Sequence, residues 1–169
     1  SVLSSAGYPE TLRLCQPQPD EAYAHPLGQL GFAESIFVLD QPASALGLES
    51  SITFFNAEAE FHYGRPTDLV DLRSGVLCVP ANFGDLDETA TEGVVRLTHL
   101  ADYAQWFSLH EDAYKAAKEQ TLRRQLGVLS RFMPEAADHV VATDMFTPTT
   151  ITRYTGHLNG AVYGSPVKR

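Results

Sequence analysis

Hydrophobic and polar positions in the first part of the chain alternate in short blocks that are typical of β-strands. β-Branched and aromatic residues fill these blocks, and polar or turn residues bound them. Four strands are predicted on this pattern, at residues 35–40, 51–56, 76–79 and 94–100, with a brief extended piece at 60–63. A fifth and final strand is predicted at 139–143. The block at 76–79 is apolar throughout and ends at Pro80, which suits a buried strand.

A helical repeat replaces the alternation after residue 100. Four apolar side chains recur at helical spacing and predict a core-facing helix over 110–133, before Pro134: Leu122, Leu126, Leu129 and Met133. Ser108 and Glu111 have the spacing of a capping box, which would satisfy the free amide groups at the start of this helix. The charged side chains of the helix are expected to face solvent.

A second, shorter helix is predicted near the carboxyl end of the chain. Thr147 suits its N-cap, Pro148 its first position and Gly156 a left-handed residue after its last turn. A helical turn is also predicted within 1–15. Strands that precede a long helix predict an α+β fold, with a mixed or mostly antiparallel sheet and helices packed on one face, as one domain over 1–169.

Charge and cysteine usage narrow the function classes. The formal net charge of -9 argues against a nucleic-acid binder, which needs a basic surface, and against electrostatic attachment to anionic lipid. No run approaches the roughly 18 apolar residues of a membrane span. No targeting signal is visible, so a cytoplasmic or peripheral membrane-associated protein is expected. Cys15 and Cys78 lack metal-type spacing and are expected to be reduced and buried.

Metal and hydrolase chemistry find little support in the sequence. The six histidines show no H-x-x-x-H or H-E-x-x-H arrangement, so no metal site is predicted. Glu111 and Asp112 fall in the first turn of the predicted helix, where carboxylates favour the helix dipole without an ion. His99 is expected to be a half-buried, hydrogen-bonded strand residue. No G-x-S-x-G occurs, and Ser74-Gly75 is interpreted as a turn.

Aromatic residues are numerous. Most are expected in the core, and the alternative is that some of them line a long apolar tunnel for a ligand. The set comprises Phe32, Phe37, Phe54, Phe55, Phe61, Tyr63, Phe83, Tyr103 and Trp106.

Two segments resemble those of a known enzyme family, and between them Gly31-Phe32-Ala33-Glu34-Ser35 and Arg96-Leu97-Thr98 fall in the order expected for it. The two segments are the run Phe146-Thr147-Pro148, Arg153-Tyr154-Thr155-Gly156 and Gly160-Ala161-Val162-Tyr163-Gly164, and the amino-terminal Val2-Leu3-Ser4-Ser5-Ala6-Gly7. The first is similar to a motif late in the phytoene desaturases, carotenoid isomerases and retinol saturases, which are FAD-dependent oxidoreductases. The second resembles the strand that enters their substrate domain.

The resemblance implies a substrate-binding domain excised from a larger FAD-dependent oxidoreductase. Residues 1–7 and 157–169 would then be junctions to the missing FAD-binding domain. The implied substrate is a hydrophobic polyene or isoprenoid-like molecule, held under a sheet that roofs the flavin. No G-x-G-x-x-G occurs, so FAD is expected in the full-length parent and not in this chain, which alone would be inactive. An exposed domain interface is expected to favour self-association.

The resemblance also implies roles for single residues. Gly160, Tyr163 and Gly164 would contact the cofactor, and Arg153 and Tyr154 the substrate. His157 and Asn159 lie in the same segment outside the motif and are assigned to the substrate as well. Residue patterns leave other roles open: a salt bridge or carbonyl contact at the helix end for Arg153, and a core position for Tyr163.

No catalytic residue is identified from the sequence. The main alternative function is a freestanding α+β ligand-binding or protein-interaction module without catalytic activity. A metal-dependent hydrolase is a third, weaker alternative.

Overall fold

Five antiparallel strands form the sheet on which the rest of the chain is built. The structure is a computed structural model that describes residues 3–17, 27–84 and 91–162. Its strands are β1 (Gly31–Leu39), β2 (Ile52–Asn56), β3 (Val70–Cys78), β4 (Gly93–Ala101) and β5 (Val140–Phe146). They lie in the order β2-β3-β4-β1-β5, and every neighbouring pair is antiparallel. The predicted α+β class is therefore confirmed.

The helices lie on one face of this sheet and at one of its ends. They are α1 (Tyr8–Leu14), α2 (Tyr103–Ser108), α3 (Glu111–Leu129), α4 (Ala136–His139) and α5 (Pro148–Thr155), with short 3-10 turns at Ala43–Leu46, Pro80–Asn82 and Leu158–Gly160. Because β4 leads into α2 and β5 leads into α5, these two helices meet at the same end of the sheet, where they contact each other. The helical turn predicted within 1–15 is confirmed as α1.

One face of the sheet and helix α3 enclose the core. Burial alternates along the whole of β1, so that Phe37 and Leu39 point to α3 while their neighbours do not. Leu129 and Met133 are fully buried against these strand residues, and Leu122 and Leu126 pack at the edge of the same cluster. The helical stripe predicted from the sequence is confirmed. Each such buried side chain stabilises the fold by about 1.5–3 kcal/mol relative to exposure.

All five predicted strands are present, and four of them are longer than predicted; the predicted extended piece at 60–63 is absent. β1 begins at Gly31 and β3 at Val70. The start of β3 was not predicted because the charged residues Asp71 and Arg73 interrupt the apolar pattern. Their side chains form an ion pair at 2.6 Å, beside a register shift in the β3–β4 ladder. Residues 60–63 form no strand; they belong to the irregular connection between β2 and β3.

The predicted capping box is wrong. The N-cap of α3 is His110, which makes no side-chain cap bond. Ser108 instead closes the short helix α2, where its hydroxyl donates to the carbonyl of Gln105 at 2.8 Å. The extra helix uses the serine that the pattern assigned to α3. The α-helix also ends at Leu129, so Met133 lies in the turn that follows rather than in a last helical turn.

The predicted caps of the last helix are confirmed. The Thr147 hydroxyl accepts from the Thr150 N–H at 3.3 Å, Pro148 is the first residue of α5, and Gly156 is left-handed with φ 74°. The strand before it runs from Val140, one residue later than predicted, because His139 is the last residue of α4.

The two cysteines are free thiols, as predicted, but they are not buried. Cys15 is exposed just after α1, and Cys78 is half-buried at the end of β3. Cys78 alternates onto the sheet face that α3 does not cover, which explains its partial exposure.

Candidate functional site

The sheet face opposite α3 carries an apolar groove. One row of directly opposed residues crosses all five strands there, in the order Phe54, Val76, Thr98, Glu34 and Phe146. Opposed residues of antiparallel strands share a face, so this row forms the floor of the groove. Adjacent strands are about 4.8 Å apart, which makes the floor about 19 Å long.

The larger compartment of the groove lies over β2, β3 and β4 and has a volume of about 370 Å³. Phe32 and Leu100 flank the row of floor residues here. Phe61 and Tyr63, from the connection between β2 and β3, stack with ring centroids 6.0 Å apart and form one wall. None of the described residues that line this compartment carries a charge. We define the two compartments together as the aromatic groove.

The smaller compartment continues the groove towards the carboxyl-terminal segment. It shares Phe32 and Thr98 with the larger one and has a volume of about 210 Å³. Phe146 of β5, Ile151 of α5 and Val162 close its far end. Of the described helices, only α5 contributes a residue to either compartment.

The aromatic groove corrects the expectation that most aromatic residues lie in the core. Phe37 and Trp106 are fully buried, but Phe54, Phe61, Tyr63 and Phe83 are exposed, with 78% of Phe54 accessible to solvent. The alternative, a lining role, applies to Phe32, Phe54, Phe61 and Tyr63. Phe55 also borders the groove, but its ring packs on the core side against Phe132 and His99. The feature is an open groove and not a tunnel.

Ser74 and Gly75 also belong to the aromatic groove. They were interpreted as a turn, but they lie inside β3 and pair with Asn56 and Phe55 of β2. A Cβ on Gly75 would lie 2.7 Å from the Thr98 carbonyl oxygen and 2.8 Å from the Phe55 ring. Close packing between strands therefore explains this glycine.

A polar cluster interrupts the groove at its centre. The guanidinium Nε of Arg96 donates to Glu34 Oε1 at 2.8 Å, and the Thr98 hydroxyl donates to Glu34 Oε2 at 2.8 Å. All three side chains line the smaller compartment. The sequence assigned these three residues no site role, although they lie in segments that match the family in order. Their contact depends on the pairing of β1 with β4.

The predicted substrate residues Arg153 and Tyr154 lie outside the aromatic groove. The Tyr154 side chain is 78% exposed, and the Arg153 guanidinium lies 5.8 Å from its ring centroid. They border a separate polar groove of about 420 Å³ together with Tyr114 and Lys118. Ile151 is the residue of α5 that reaches the aromatic groove.

His157 and Asn159 connect the carboxyl-terminal segment to the start of the described chain. Asn159, with φ 61°, donates from Nδ2 to the Gly28 carbonyl at 2.9 Å, and His157 Nδ1 lies 3.6 Å from Glu10 of α1. Partial burial acts to raise the pKa of Glu10, but the hydrogen bond from the Leu158 N–H, with His157 nearby, holds that pKa below its ordinary value. Both residues thus have structural contacts that hold this segment in place.

The predicted cofactor residues fall at the limit of the described chain. Tyr163 and Gly164 lie outside the described residues. Gly160 is buried with φ +58°, and a Cβ on it would lie 2.4 Å from the Pro148 carbonyl oxygen. Packing against α5 already fills the space beside Gly160, so its lack of a side chain has a cause within the domain. Contact with FAD stays a prediction.

A buried polar cluster lies under the sheet on the α3 side. Ser35 donates to the Gln125 side-chain oxygen, and Gln125 Nε2 donates to His99 Nδ1 at 2.6 Å. His99 was expected to be half-buried and fully hydrogen-bonded, but it is 1% exposed and its Nε2 has no partner among the described residues. Burial lowers the pKa of His99 to about 4, against a weaker opposing effect of Asp71.

Across the ranges that the structure describes, no group of three His, Cys, Asp or Glu side chains could hold a metal ion. None of the helices in the same ranges has both the length and the apolar character that crossing a membrane requires.

Comparison of the chain with protein-family models, with curated proteins and with solved structures finds no match.

Proposed function

We propose that this chain is the substrate-binding portion of an FAD-dependent oxidoreductase similar to phytoene desaturases and carotenoid isomerases. Its substrate is a hydrophobic polyene or isoprenoid-like molecule. The observation that carries the proposal is the aromatic groove, which runs across the sheet and ends at Val162, inside the segment that resembles this family.

The chemistry of the groove suits a long, flat and apolar ligand. Aromatic rings line the larger compartment, and small-molecule sites are commonly apolar clefts of about 300–1,000 Å³. A ligand that lies across the strands would cover Phe54 and Val76 at one end and Phe146 at the other. Removing this apolar surface from water at about 25 cal/mol per Å² favours binding.

The absence of charged residues from the lining of the larger compartment, over the described ranges, fits the proposed division of labour. When bound, a flavin supplies the redox chemistry, and the protein supplies binding and orientation. In the proposal FAD is held by another part of the parent protein. The residues of this chain hold the substrate flat against the sheet and exclude water from one side of it.

The contact between the first and last described segments also supports the proposal. The Leu158 N–H donates to the Glu10 carboxylate at 3.0 Å, and Gly7 and His157 are neighbours. A domain inserted into another domain needs its two connections side by side. The predicted junctions, 1–7 and 157–169, include these adjacent residues.

A ligand titration tests the binding half of the proposal. Diphenylhexatriene, a fluorescent polyene hydrocarbon, should bind the chain with increased fluorescence. Phe54→Ser should weaken this binding about tenfold, which corresponds to about 1.4 kcal/mol, because the ring lies on the groove floor. Phe107→Ser is the matched control, since Phe107 is 43% exposed and lies outside the aromatic groove. No binding, or equal loss in both variants, would overturn the proposal.

A second measurement tests the flavin half. The full open reading frame that contains this chain should give a protein with the visible absorbance of bound flavin. Polyene binding by the chain, combined with a flavin-free parent protein, would instead favour the freestanding ligand-binding module.

A further inference from the structure

The Glu34–Arg96–Thr98 cluster places three polar side chains in the middle of an apolar groove. Glu34 and Thr98 are directly opposed on β1 and β4, and Arg96 lies two residues from Thr98 on the same face. Arg96 Nη2 is also 2.7 Å from Glu34 Oε1. The side chain of Glu34 is 14% exposed and that of Arg96 is 45% exposed, so the arginine is the member that a ligand meets first.

The hydrogen bonds within the cluster leave some N–H donors of Arg96 unused. The two Glu34 oxygens accept from Arg96 and Thr98. A guanidinium carries five N–H donors, and Arg96 directs its Nε and Nη2 groups at Glu34. Its Nη1 makes no hydrogen bond to any residue in the described ranges. The cluster therefore presents unused N–H donors of Arg96 to the groove, while Glu34, the less exposed partner, keeps part of its acceptor capacity.

We infer that the ligand of the aromatic groove carries a neutral oxygen, a hydroxyl or a carbonyl, which accepts a hydrogen bond from Arg96. The inference rests on the proposed binding of an apolar ligand in this groove. A pure hydrocarbon over the cluster would remove water from the Arg96 donors and leave them unsatisfied, which disfavours binding. An oxygen at this point satisfies them, while the apolar chain lies in the larger compartment.

Charge selects a neutral oxygen over a carboxylate. Glu34 already neutralises Arg96, so the cluster has no net charge to offer an anion. A carboxylate ligand would approach the Glu34 carboxylate within a protein of formal net charge -9. Arg96 is thus a specificity-determining residue for an alcohol or a ketone.

Three ligands that share one isoprenoid skeleton test the inference: farnesene, farnesol and farnesoic acid, each titrated as a competitor of bound diphenylhexatriene. The intact chain should bind farnesol about tenfold more tightly than farnesene, and farnesoic acid less tightly than farnesol. The double variant Glu34→Gln/Arg96→Met should lose the preference for farnesol and keep its affinity for farnesene. This variant removes both charges together and leaves no unpaired carboxylate. Arg131→Met, which removes an arginine outside the groove, should change none of the affinities.

Thr98→Val gives a second, milder variant. This variant keeps Arg96 but removes the hydrogen bond that Thr98 donates to Glu34. It should still bind farnesol more tightly than farnesene, but by a smaller ratio than the intact chain.

The outcomes separate this inference from the proposed function. Equal affinity of the intact chain for farnesene and farnesol, or tightest binding of farnesoic acid, would overturn the inference and leave polyene binding intact. The same holds if the farnesol preference survives in the double variant. Failure of diphenylhexatriene and all three competitors to bind would overturn both.

Discussion

His99 should make the stability of the fold depend on pH in a defined window. Its ring lies in the core beside Gln125, which occupies Nδ1 as a donor, so the single ring proton sits on Nε2. Protonation of Nδ1 would break that hydrogen bond and place a positive charge on a side chain that is only 1% exposed to solvent. Burial accordingly lowers the pKa of His99 to about 4, whereas an unfolded histidine titrates near 6.5.

The sign of the effect follows from proton uptake. Between pH 6.5 and 4 the unfolded chain binds a proton at this histidine and the folded chain does not, so acid favours unfolding. At about 1.4 kcal/mol per pKa unit, the fall from 6.5 to about 4 corresponds to about 3 kcal/mol, of which about 2 kcal/mol is lost by pH 5. Asp71, Asp102 and Glu10 have lowered pKa values, so their contributions are lost at lower pH.

Urea denaturation followed by Trp106 fluorescence at pH 7.5, 6.5, 5.5 and 5.0 measures the effect. The free energy of unfolding should fall across this series in the wild type. It should fall much less in His99→Asn, which cannot titrate, whatever the absolute stability of that variant. His62→Asn, which removes an exposed histidine, should behave like the wild type. Equal slopes for the wild type and His99→Asn would refute the argument.

Three further changes should alter the free energy of unfolding, measured by urea denaturation at pH 7. Gly160→Ala should cost more than Gly156→Ala: both need positive φ, worth about 1–2 kcal/mol, but only at Gly160 would the Cβ strike the backbone of Pro148. Equal losses would contradict this packing. Gly127→Ala should stabilise by about 0.5–1 kcal/mol, since the site is helical and open, and a loss there would show a hidden contact. Thr147→Ala should destabilise by about 1 kcal/mol through loss of the α5 cap, and an unchanged stability would argue against that cap.

Local signals in the sequence predicted the elements that depend on local physics. The cap, proline and glycine around α5 each act within a few residues, so Thr147, Pro148 and Gly156 could be assigned before any tertiary contact was known. Alternation likewise predicted β4, because one of its faces is buried along its whole length. The capping box failed because Ser108 had a competing use in a helix of only six residues.

The aromatic groove could not be predicted in the same way. Its floor depends on which strands are neighbours, and Glu34 and Arg96 are 62 residues apart in the chain. The sequence cannot distinguish an aromatic residue in a core from one in a groove. That Phe54 points away from the core follows only once β2 is paired with β3. Gln125 is a polar residue on the core side of α3. Its burial is explained by its hydrogen bonds to Ser35 and His99, which lie on the facing strands and far away in the sequence.

The contacts of Glu10 have a consequence for local unfolding. This carboxylate receives the Leu158 N–H from a position 148 residues away and lies beside His157, so α1 and the Leu158–Gly160 turn hold each other in place. Within α1 itself, Pro9 is the only buried residue. The two ends of the fold should therefore open as one cooperative unit in hydrogen exchange, at a lower free energy than the sheet.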